Sequence, residues 1–183
     1  MATGAATGAY RVAGGAHDAA RTALFKQATA TCSGLIGRVA LSFEADPALR
    51  HELVQDIMLA IWLALPTWRG DSSLKTFVAS IAQKRSLSHV TRRVREPRQV
   101  ELPTDLPSLA LTPDEEAMRN DQRKQLVGAI QRLPIPQREA IVLSFEGFGY
   151  AEVAQVLGIS VNAATLRCQR AKAALRELLE RPA

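Results

Sequence analysis

The sequence predicts an all-α fold made of two small helical domains. Apolar residues recur at three- and four-residue steps along most of the chain, and the apolar–polar alternation typical of strands is absent. This periodicity is interrupted near the middle by Pro97, Pro103, Pro107 and Pro113. Hydrophobic residues make up 47% of the 183 residues, which is enough apolar material for packed cores.

These patterns divide the chain into four parts. Residues 1–15 are predicted to form a flexible tail, because they are mostly small and include four glycines. Residues 16–98 and 114–183 carry the helical periodicity and are predicted to form the two domains. Residues 99–113 are predicted to form a proline-containing linker. The linker is acidic, since positions 99–121 hold six acidic residues and one basic residue.

The first domain is predicted to contain a helix with a continuous apolar stripe. Asp46 is the expected N-cap of this helix, and Pro47 suits its first turn. The stripe is formed by Leu49, Leu53, Ile57, Ile61 and Leu65, with Val54 and Met58 at its edge. The run 69–73 breaks the pattern, and Ser72 or Ser73 is the expected cap of the next helix.

Charge and composition exclude several classes of protein. Lys and Arg number 23 against 18 Asp and Glu, and the resulting charge of +5 favours a polyanionic partner. Two well-separated cysteines argue against a disulfide scaffold or a zinc finger, and no metal or other cofactor is expected. No apolar run approaches the roughly 18 residues of a membrane span, so we expect a cytoplasmic protein without membrane insertion. Scattered histidines and the lack of a phosphate-binding loop argue against an enzyme.

A basic stretch ends the first domain. It contains Lys84, Arg85, Arg92, Arg93, Arg95 and Arg98 against a single acid, Glu96. Arg85 and Arg92 are seven residues apart and therefore share one helical face. Such a face attracts phosphates, with an affinity that falls as the salt concentration rises. A solvated helix end whose cations complement the helix dipole would explain the same residues.

Residues 150–170 fit a helix-turn-helix. Gly158 supplies a left-handed turn, Ile159 closes the core, and Ser160 caps the second helix. The positions predicted to face inward are Val153, Ala154, Leu157, Val161, Ala164, Cys168, Ala171 and Leu175. The outer face of the second helix, which would enter the DNA major groove, is formed by Thr165, Leu166, Gln169 and Arg170. Arg167 and Lys172 add positive charge beside it, and both belong to the predicted DNA contacts. An ordinary helical hairpin in a bundle core is the alternative.

Several motifs in this order resemble a known family. The first domain contains ELVQDIM at 52–58 and WRGDSSLKTF at 68–77, and the second contains QREAIVL at 137–143 before the helix-turn-helix. The chain resembles the extracytoplasmic-function (ECF) sigma factors of bacterial RNA polymerase, the class with sigma regions 2 and 4 only. The resemblance covers about residues 17–180. It implies that the partners are core RNA polymerase, promoter DNA and an anti-sigma factor.

The resemblance also implies roles for individual residues. Glu52, Gln55 and Asp56 match the contact with the clamp helices of the polymerase's largest subunit. The site that captures a flipped base of the −10 element is matched by Arg69, Gly70, Asp71, Ser72, Ser73 and Lys75. The following helix would lie along −10 DNA with Lys84, Arg85, Arg92 and Arg93, and the linker would thread the RNA path. The outer face of the second helix in the helix-turn-helix would read the −35 element.

The chain departs from the family in two places. Lys84 stands where Asn is common, and residues 162–167 are NAATLR where GTVKSR is usual, so the promoter sequence does not follow from the resemblance.

Two other functions remain open at this point. One is a DNA-binding regulator that uses the helix-turn-helix alone, and the other is a helical module that only titrates an anti-sigma factor. The polar face of Glu52, Gln55 and Asp56 argues against the first, and the basic clusters argue against the second.

Overall fold

The computed structural model describes residues 7–95 and 113–180, with side chains described in 18–93 and 121–180. These residues form seven α-helices and one short 3-10 turn, and they contain no strand. The helices are α1 Thr7–Phe43, α2 Pro47–Ala64, α3 Leu74–Arg95, α4 Pro113–Arg132, α5 Ile135–Phe145, α6 Tyr150–Leu157 and α7 Val161–Glu180. The 3-10 turn, Leu65–Thr67, follows α2. The predicted all-α class is confirmed.

The N-terminal residues do not all follow the sequence prediction. Residues 7–15, predicted to belong to a flexible tail, are helical and form the start of α1. Once α1 exists, each added residue gains one hydrogen bond without a new nucleation step, so the helix extends despite its glycines. Residues 1–6 lie outside the described residues. So does the predicted linker, except for Pro113, which begins α4.

Three predicted helix caps are present. The Asp46 carboxylate accepts hydrogen bonds from the backbone N–H groups of Ala48 and Leu49, at 2.8 and 3.0 Å. Of the two candidates for α3, Ser73 is the cap, because its Oγ accepts from the backbone N–H of Thr76 at 3.0 Å. Ser160 Oγ accepts from the backbone N–H of the third residue of α7 at 3.2 Å. Each cap satisfies a backbone donor that the first helical turn leaves free.

The first three helices form one group, in which α1 and α3 pack against the apolar stripe of α2. Leu53, Ile57 and Ile61 are almost completely buried, whereas Leu49 lies at the edge and is half-buried. The partners from α1 and α3 include Leu35, Ile36, Val39, Val78, Ala79 and Ala82. The small alanines of α3 allow close approach of the helix backbones, so the group forms a dense core. None of the helices within the described ranges is both long and apolar enough to span a bilayer.

A buried carboxylate joins these three helices at one point. Glu44, just after α1, accepts from the backbone N–H of Asp46 at 3.0 Å and from His89 Nε2 of α3 at 2.9 Å. The guanidinium of Arg93 donates to the same carboxylate. Burial alone would raise the pKa of Glu44, but these hydrogen bonds outweigh it, and the pKa lies below the ordinary value of 4.5.

This shift predicts a loss of stability in acid. A carboxylate whose folded pKa is lowered stabilises the fold above its unfolded pKa, and the contribution disappears as the pH falls through the folded value. We expect the free energy of unfolding to fall as the pH drops below about 4.5. Glu44→Gln should show a smaller acid dependence in urea unfolding between pH 7 and 3. If Glu44→Gln and the exposed control Glu177→Gln had the same acid slope, the assignment to Glu44 would be wrong.

Helices α4 to α7 form a second group, in which α6 and α7 make the helix-turn-helix. Gly158 has φ +66° and ψ +37°, the left-handed conformation, and its N–H donates to the carbonyl of Ala154. The backbone N–H of Ile159 donates to the same carbonyl at 3.0 Å. These two bonds satisfy the end of α6 and turn the chain into α7, which confirms the predicted role of Gly158.

Two glycine substitutions are expected to change stability in opposite directions. A Cβ at Gly158 meets no neighbouring atom, so Gly158→Ala should destabilise the fold only through its positive φ, by about 1 kcal/mol. Gly128, inside α4, also has free space around it and no positive φ. Gly128→Ala should therefore stabilise the fold by about 0.5–1 kcal/mol through helix propensity. Thermal unfolding of the two variants checks both signs.

The two helix groups contact each other directly. Helix α3 packs on α6, and α1 packs on α4 and α5. Gln131 Nε2 of α4 donates to the carbonyl of Leu41 in α1 at 2.8 Å. Between α1, α4 and α5 lies a mainly apolar cavity of about 470 Å³.

Candidate polymerase and nucleic-acid interfaces

The predicted polymerase contact lies on the exposed side of α2. Glu52, Gln55 and Asp56 are all exposed, opposite the buried stripe. Gln55 Nε2 lies 2.9 Å from His51 Nε2, one turn earlier, so the amide is held against the helix. The structure therefore brings the three predicted residues together on one accessible surface.

Two leucines that the sequence reasoning did not single out continue this surface. Leu59 and Leu63 are 57% and 59% exposed, and they follow Gln55 at steps of four residues. They are the two most exposed large apolar side chains in the described part of the chain. Their spacing from Gln55, outside the buried stripe, was the sequence signal that could have identified them.

The predicted base-capture loop precedes α3. Trp68 anchors it, because its indole N–H donates to the carbonyl of Ser72 at 3.1 Å and its ring packs near Phe77. Gly70 has φ +82°, which allows the tight turn between Trp68 and the cap. The exposed residues of the loop are Arg69, Gly70, Asp71 and Ser73, whereas Ser72 is half-buried. The loop is thus anchored at its base and accessible at its tip.

The basic residues of α3 separate into two sets. Lys84, Arg85 and Arg92 are exposed, with Arg92 Nη2 4.0 Å from the Asp56 carboxylate of α2. Arg93 is half-buried, and its guanidinium is bound to Glu44. Three of these four predicted DNA contacts are therefore accessible, and Arg93 is occupied by a structural ion pair.

Lys75 belongs to the predicted −10 site but contacts the second helix group. Its Nζ donates to the backbone carbonyl of Glu146 at 2.6 Å. The same Nζ lies 4.4 Å from the centroid of the Phe148 ring, a cation–π contact. Lys75 is nevertheless exposed, so these contacts lie at the surface of the protein.

The outer face of α7 is open to solvent. Leu166 is 43% exposed, and Gln169, Arg170 and Lys172 are also exposed. Thr165 is half-buried, and its hydroxyl donates to the carbonyl of Val161 at 2.9 Å. The outer face of α7 is therefore largely accessible to solvent.

The predicted inner face of α7 is buried, with one exception. Ala164, Cys168, Ala171 and Leu175 are buried as predicted. Val161 is 50% exposed, so its predicted inward position is wrong. It is the first residue of α7, at the edge of the packed group, where the helical periodicity continues but the neighbouring helices no longer cover it.

Arg167 lies between these two faces, beside Glu139 of α5. Burial raises the pKa of Glu139, and the positive charge of Arg167 partly opposes this effect. Arg167 is half-buried, in contrast to the exposed Arg170. Arg170 therefore points outward from α7, whereas Arg167 lies at the edge of the helix.

Both cysteines are buried and free. Cys32 is 2% exposed, and Cys168 Sγ donates to the carbonyl of Ala140 at 3.5 Å. Burial raises the pKa of the Cys168 thiol, an effect that Lys172 partly opposes. Within the described residues, no group of three or more His, Cys, Asp or Glu side chains is placed to hold a metal ion.

Two family models match the chain, one for each helix group. Sigma-70 region 2 matches residues 30–96, which include the polar face of α2, the loop before α3 and the basic helix α3. Sigma-70 region 4 matches residues 123–175, which include the helix-turn-helix.

Individual proteins that are similar to this chain in sequence or structure are also sigma factors. The chain is 27% identical to the RNA polymerase sigma factor NccH of Alcaligenes xylosoxydans, over 79% of this chain and 81% of the relative. It is 28% identical to the ECF sigma factor SigK of Mycolicibacterium vanbaalenii, over 86% and 80%. The sigma factor RpoE, solved in complex with the anti-sigma factor NepR from Bartonella quintana, superposes with a TM-score of 0.69 at 25% identity. This match covers 85% of this chain and 96% of RpoE.

The order of the motifs, the fold and the relatives therefore indicate the same family. The chain belongs to the ECF sigma factors of the sigma-70 family, and it acts as a sigma factor of RNA polymerase in transcription initiation.

Proposed function

We propose that the chain performs this role with three surfaces on two domains, residues 16–98 and 114–183. The observation that carries the proposal is that one chain presents a polar face on α2, an anchored loop before α3 and an open outer face on α7. A regulator that used the helix-turn-helix alone would need only the last of these surfaces.

The first surface is the polymerase contact, formed by Glu52, Gln55 and Asp56. An exposed patch with two carboxylates suits a basic partner surface, to which charge complementarity gives orientation and speed of association. Leu59 and Leu63 add apolar area directly beside the charged residues, as in interfaces where a desolvated apolar centre adjoins polar contacts.

The second surface is the −10 contact. A base that is read in a pocket must leave the stack, and short polar groups at a helix start can contact its edge or its phosphate. The loop 69–73 offers such groups at an accessible tip. Lys84, Arg85 and Arg92 then supply a basic face for the backbone of the same DNA.

The third surface is the −35 contact on α7. Arg170 and Gln169 point outward and carry the donors that read guanine and adenine edges in a major groove. Leu166 offers apolar contact to a thymine methyl group. Arg167 is held at the edge of the helix, where a phosphate contact would position α7 without reading sequence.

We further propose that an anti-sigma factor controls the chain in the cytoplasm. RpoE, which has the same fold, is solved with the anti-sigma factor NepR, and this supports a protein partner of that class. All three proposed surfaces bind macromolecules, and we assign no chemical reaction to the chain.

Run-off transcription tests the proposed function. Sigma-free core polymerase should produce promoter-specific transcripts from a randomised promoter library only when the chain is added. Sequencing the transcribed templates would show conserved −35 and −10 elements. If the chain bound DNA but produced no transcript with core polymerase, the proposal would fail and a regulator outside the polymerase would remain.

A further inference from the structure

A cavity of about 400 Å³ lies between α1, α2 and α4, and we name it the basic cavity. Its ionisable side chains are Arg38 of α1, Arg50 and His51 of α2, and Arg123 of α4. Among the described residues, no Asp or Glu lines this cavity. Guanidinium groups around one space favour an anionic guest, because each can donate two parallel hydrogen bonds to a carboxylate or a phosphate.

Two glycines leave room for the basic cavity. Gly34 and Gly37 line it on the side of α1. A Cβ at Gly37 would meet no atom within 4 Å, so the space beside this residue is open. A Cβ at Gly34 would lie 2.9 Å from Nη1 of Arg38, so this guanidinium extends across Gly34. The missing side chains therefore leave space both for Arg38 and for a guest.

The mainly apolar cavity between α1, α4 and α5 adjoins the basic cavity, and we name it the apolar cavity. Arg38, Leu41 and Arg123 line both cavities, so the two meet at these residues. Its volume of about 470 Å³ lies within the range of about 300–1,000 Å³ that is usual for small-molecule sites. Its apolar walls also include Leu126, Val127, Ile130, Val142 and Phe145.

The partners of the guanidinium groups leave a positive charge in the two cavities. Glu146 lines the apolar cavity and binds Arg38 through Nε and Nη2, the second contact being 2.8 Å. Arg50 donates through Nη1 to a neutral partner, the carbonyl of Ala45, at 3.1 Å. Glu146 therefore balances one of the three guanidinium charges that line the cavities.

We propose that the two cavities form one binding site for an anionic amphiphile with a single alkyl chain, such as a fatty acid or an alkyl monophosphate. The head group binds in the basic cavity, where Arg50 and Arg123 donate to it, and the chain occupies the apolar cavity. Burial of the chain supplies affinity, and the guanidinium groups orient the head. No residue that lines either cavity belongs to the three surfaces of the proposed function, so this site is additional to them.

A series of alkyl chains tests the apolar half of the site. Octanoate, decanoate and dodecanoate are titrated into the full chain by isothermal titration calorimetry, each below its micelle concentration. Every two added methylenes should tighten binding about tenfold, because each methylene leaves water for the apolar cavity. Equal affinities along the series would show that the chain does not enter this cavity.

The charge of the head group is tested at constant chain length. Decan-1-ol should bind about tenfold more weakly than decanoate, because it cannot accept charge-assisted hydrogen bonds from the guanidinium groups. Equal affinity of the alcohol and the carboxylate would contradict the role of the basic cavity. Dodecyl phosphate is compared with dodecanoate, and the tighter of the two identifies the preferred head group.

Two pairs of variants locate the site. Gly37→Leu places a side chain in the open space of the basic cavity and should weaken dodecanoate binding about tenfold or more. Its control is Gly128→Leu, at a glycine of α4 that also has free space and lines neither cavity. Arg123→Gln should weaken binding about tenfold, whereas Arg132→Gln, exposed on the same helix and outside both cavities, should not.

The proposal fails if neither the carboxylates nor dodecyl phosphate bind the parent chain. It also fails if Gly37→Leu and Arg123→Gln bind dodecanoate as the parent does, because the ligand would then be adsorbed elsewhere. A synthetic peptide of residues 99–112, which is acidic and contains four leucines, is titrated in parallel. Binding of this peptide without binding of any amphiphile would make the cavities a peptide groove and overturn the proposal. Transcription with core polymerase is measured separately, so its failure would concern the proposed function alone.

Discussion

Replacing Gln55 with Ala and Asp56 with Arg is expected to weaken binding to core polymerase about thirtyfold or more. Both side chains are exposed in the free chain and would become buried against the partner, where an unmatched charge typically costs 2–5 kcal/mol. Most of the change should appear in the dissociation rate, since close contacts hold the complex together after it forms. Surface-immobilised core polymerase and the labelled full chain provide the measurement.

A matched variant separates this interface from a general charge effect. Gln27→Ala with Asp18→Arg makes the same chemical changes at exposed positions of α1, outside the proposed contact. It should bind core polymerase like the parent, and both double variants should retain the helical circular dichroism of the parent. Equal affinities of the two double variants for core polymerase would show that α2 does not carry the contact.

The sequence predicted those parts of the fold that depend on neighbouring residues. The caps at Asp46 and Ser160 and the turn at Gly158 arise from contacts within four residues, and all three are present. The buried stripe of α2 also follows from local periodicity. The exposed side of a helix is then fixed as well, which is why Glu52, Gln55 and Asp56 are found on one surface.

The contacts that the sequence did not predict join distant parts of the chain. Glu44 and Arg93 are 49 residues apart, and Arg38 and Glu146 are 108 residues apart. No helical period relates such pairs, because their meeting depends on how whole helices pack. The predicted DNA contact Arg93 illustrates the consequence, since its charge fits the basic stretch but its partner is a buried carboxylate.

Arg170→Ala is expected to relax sequence preference at one −35 position. Arg170 is exposed on the outer face of α7, four residues after Leu166, and a bidentate contact from Arg to guanine gives about 1–3 kcal/mol of discrimination. Arg167→Ala should instead weaken all sequences alike and lower the salt slope of binding by about one unit, as the loss of one phosphate contact does. The full chain bound to core polymerase, profiled against a randomised −35 library at two salt concentrations, measures both quantities.

A third cation on the same helix provides the control. Arg176 is exposed six residues beyond Arg170, near the end of α7, and Arg176→Ala removes the same charge outside the proposed reading face. It should change neither the preferred sequence nor the salt slope. Because Arg167 lies beside Glu139, its loss also removes the charge that opposes the raised pKa of that carboxyl group, so the salt slope is best compared at one fixed pH. If Arg170→Ala lowered affinity uniformly, Arg170 would position the backbone, and Thr165, Leu166 and Gln169 would have to read the sequence.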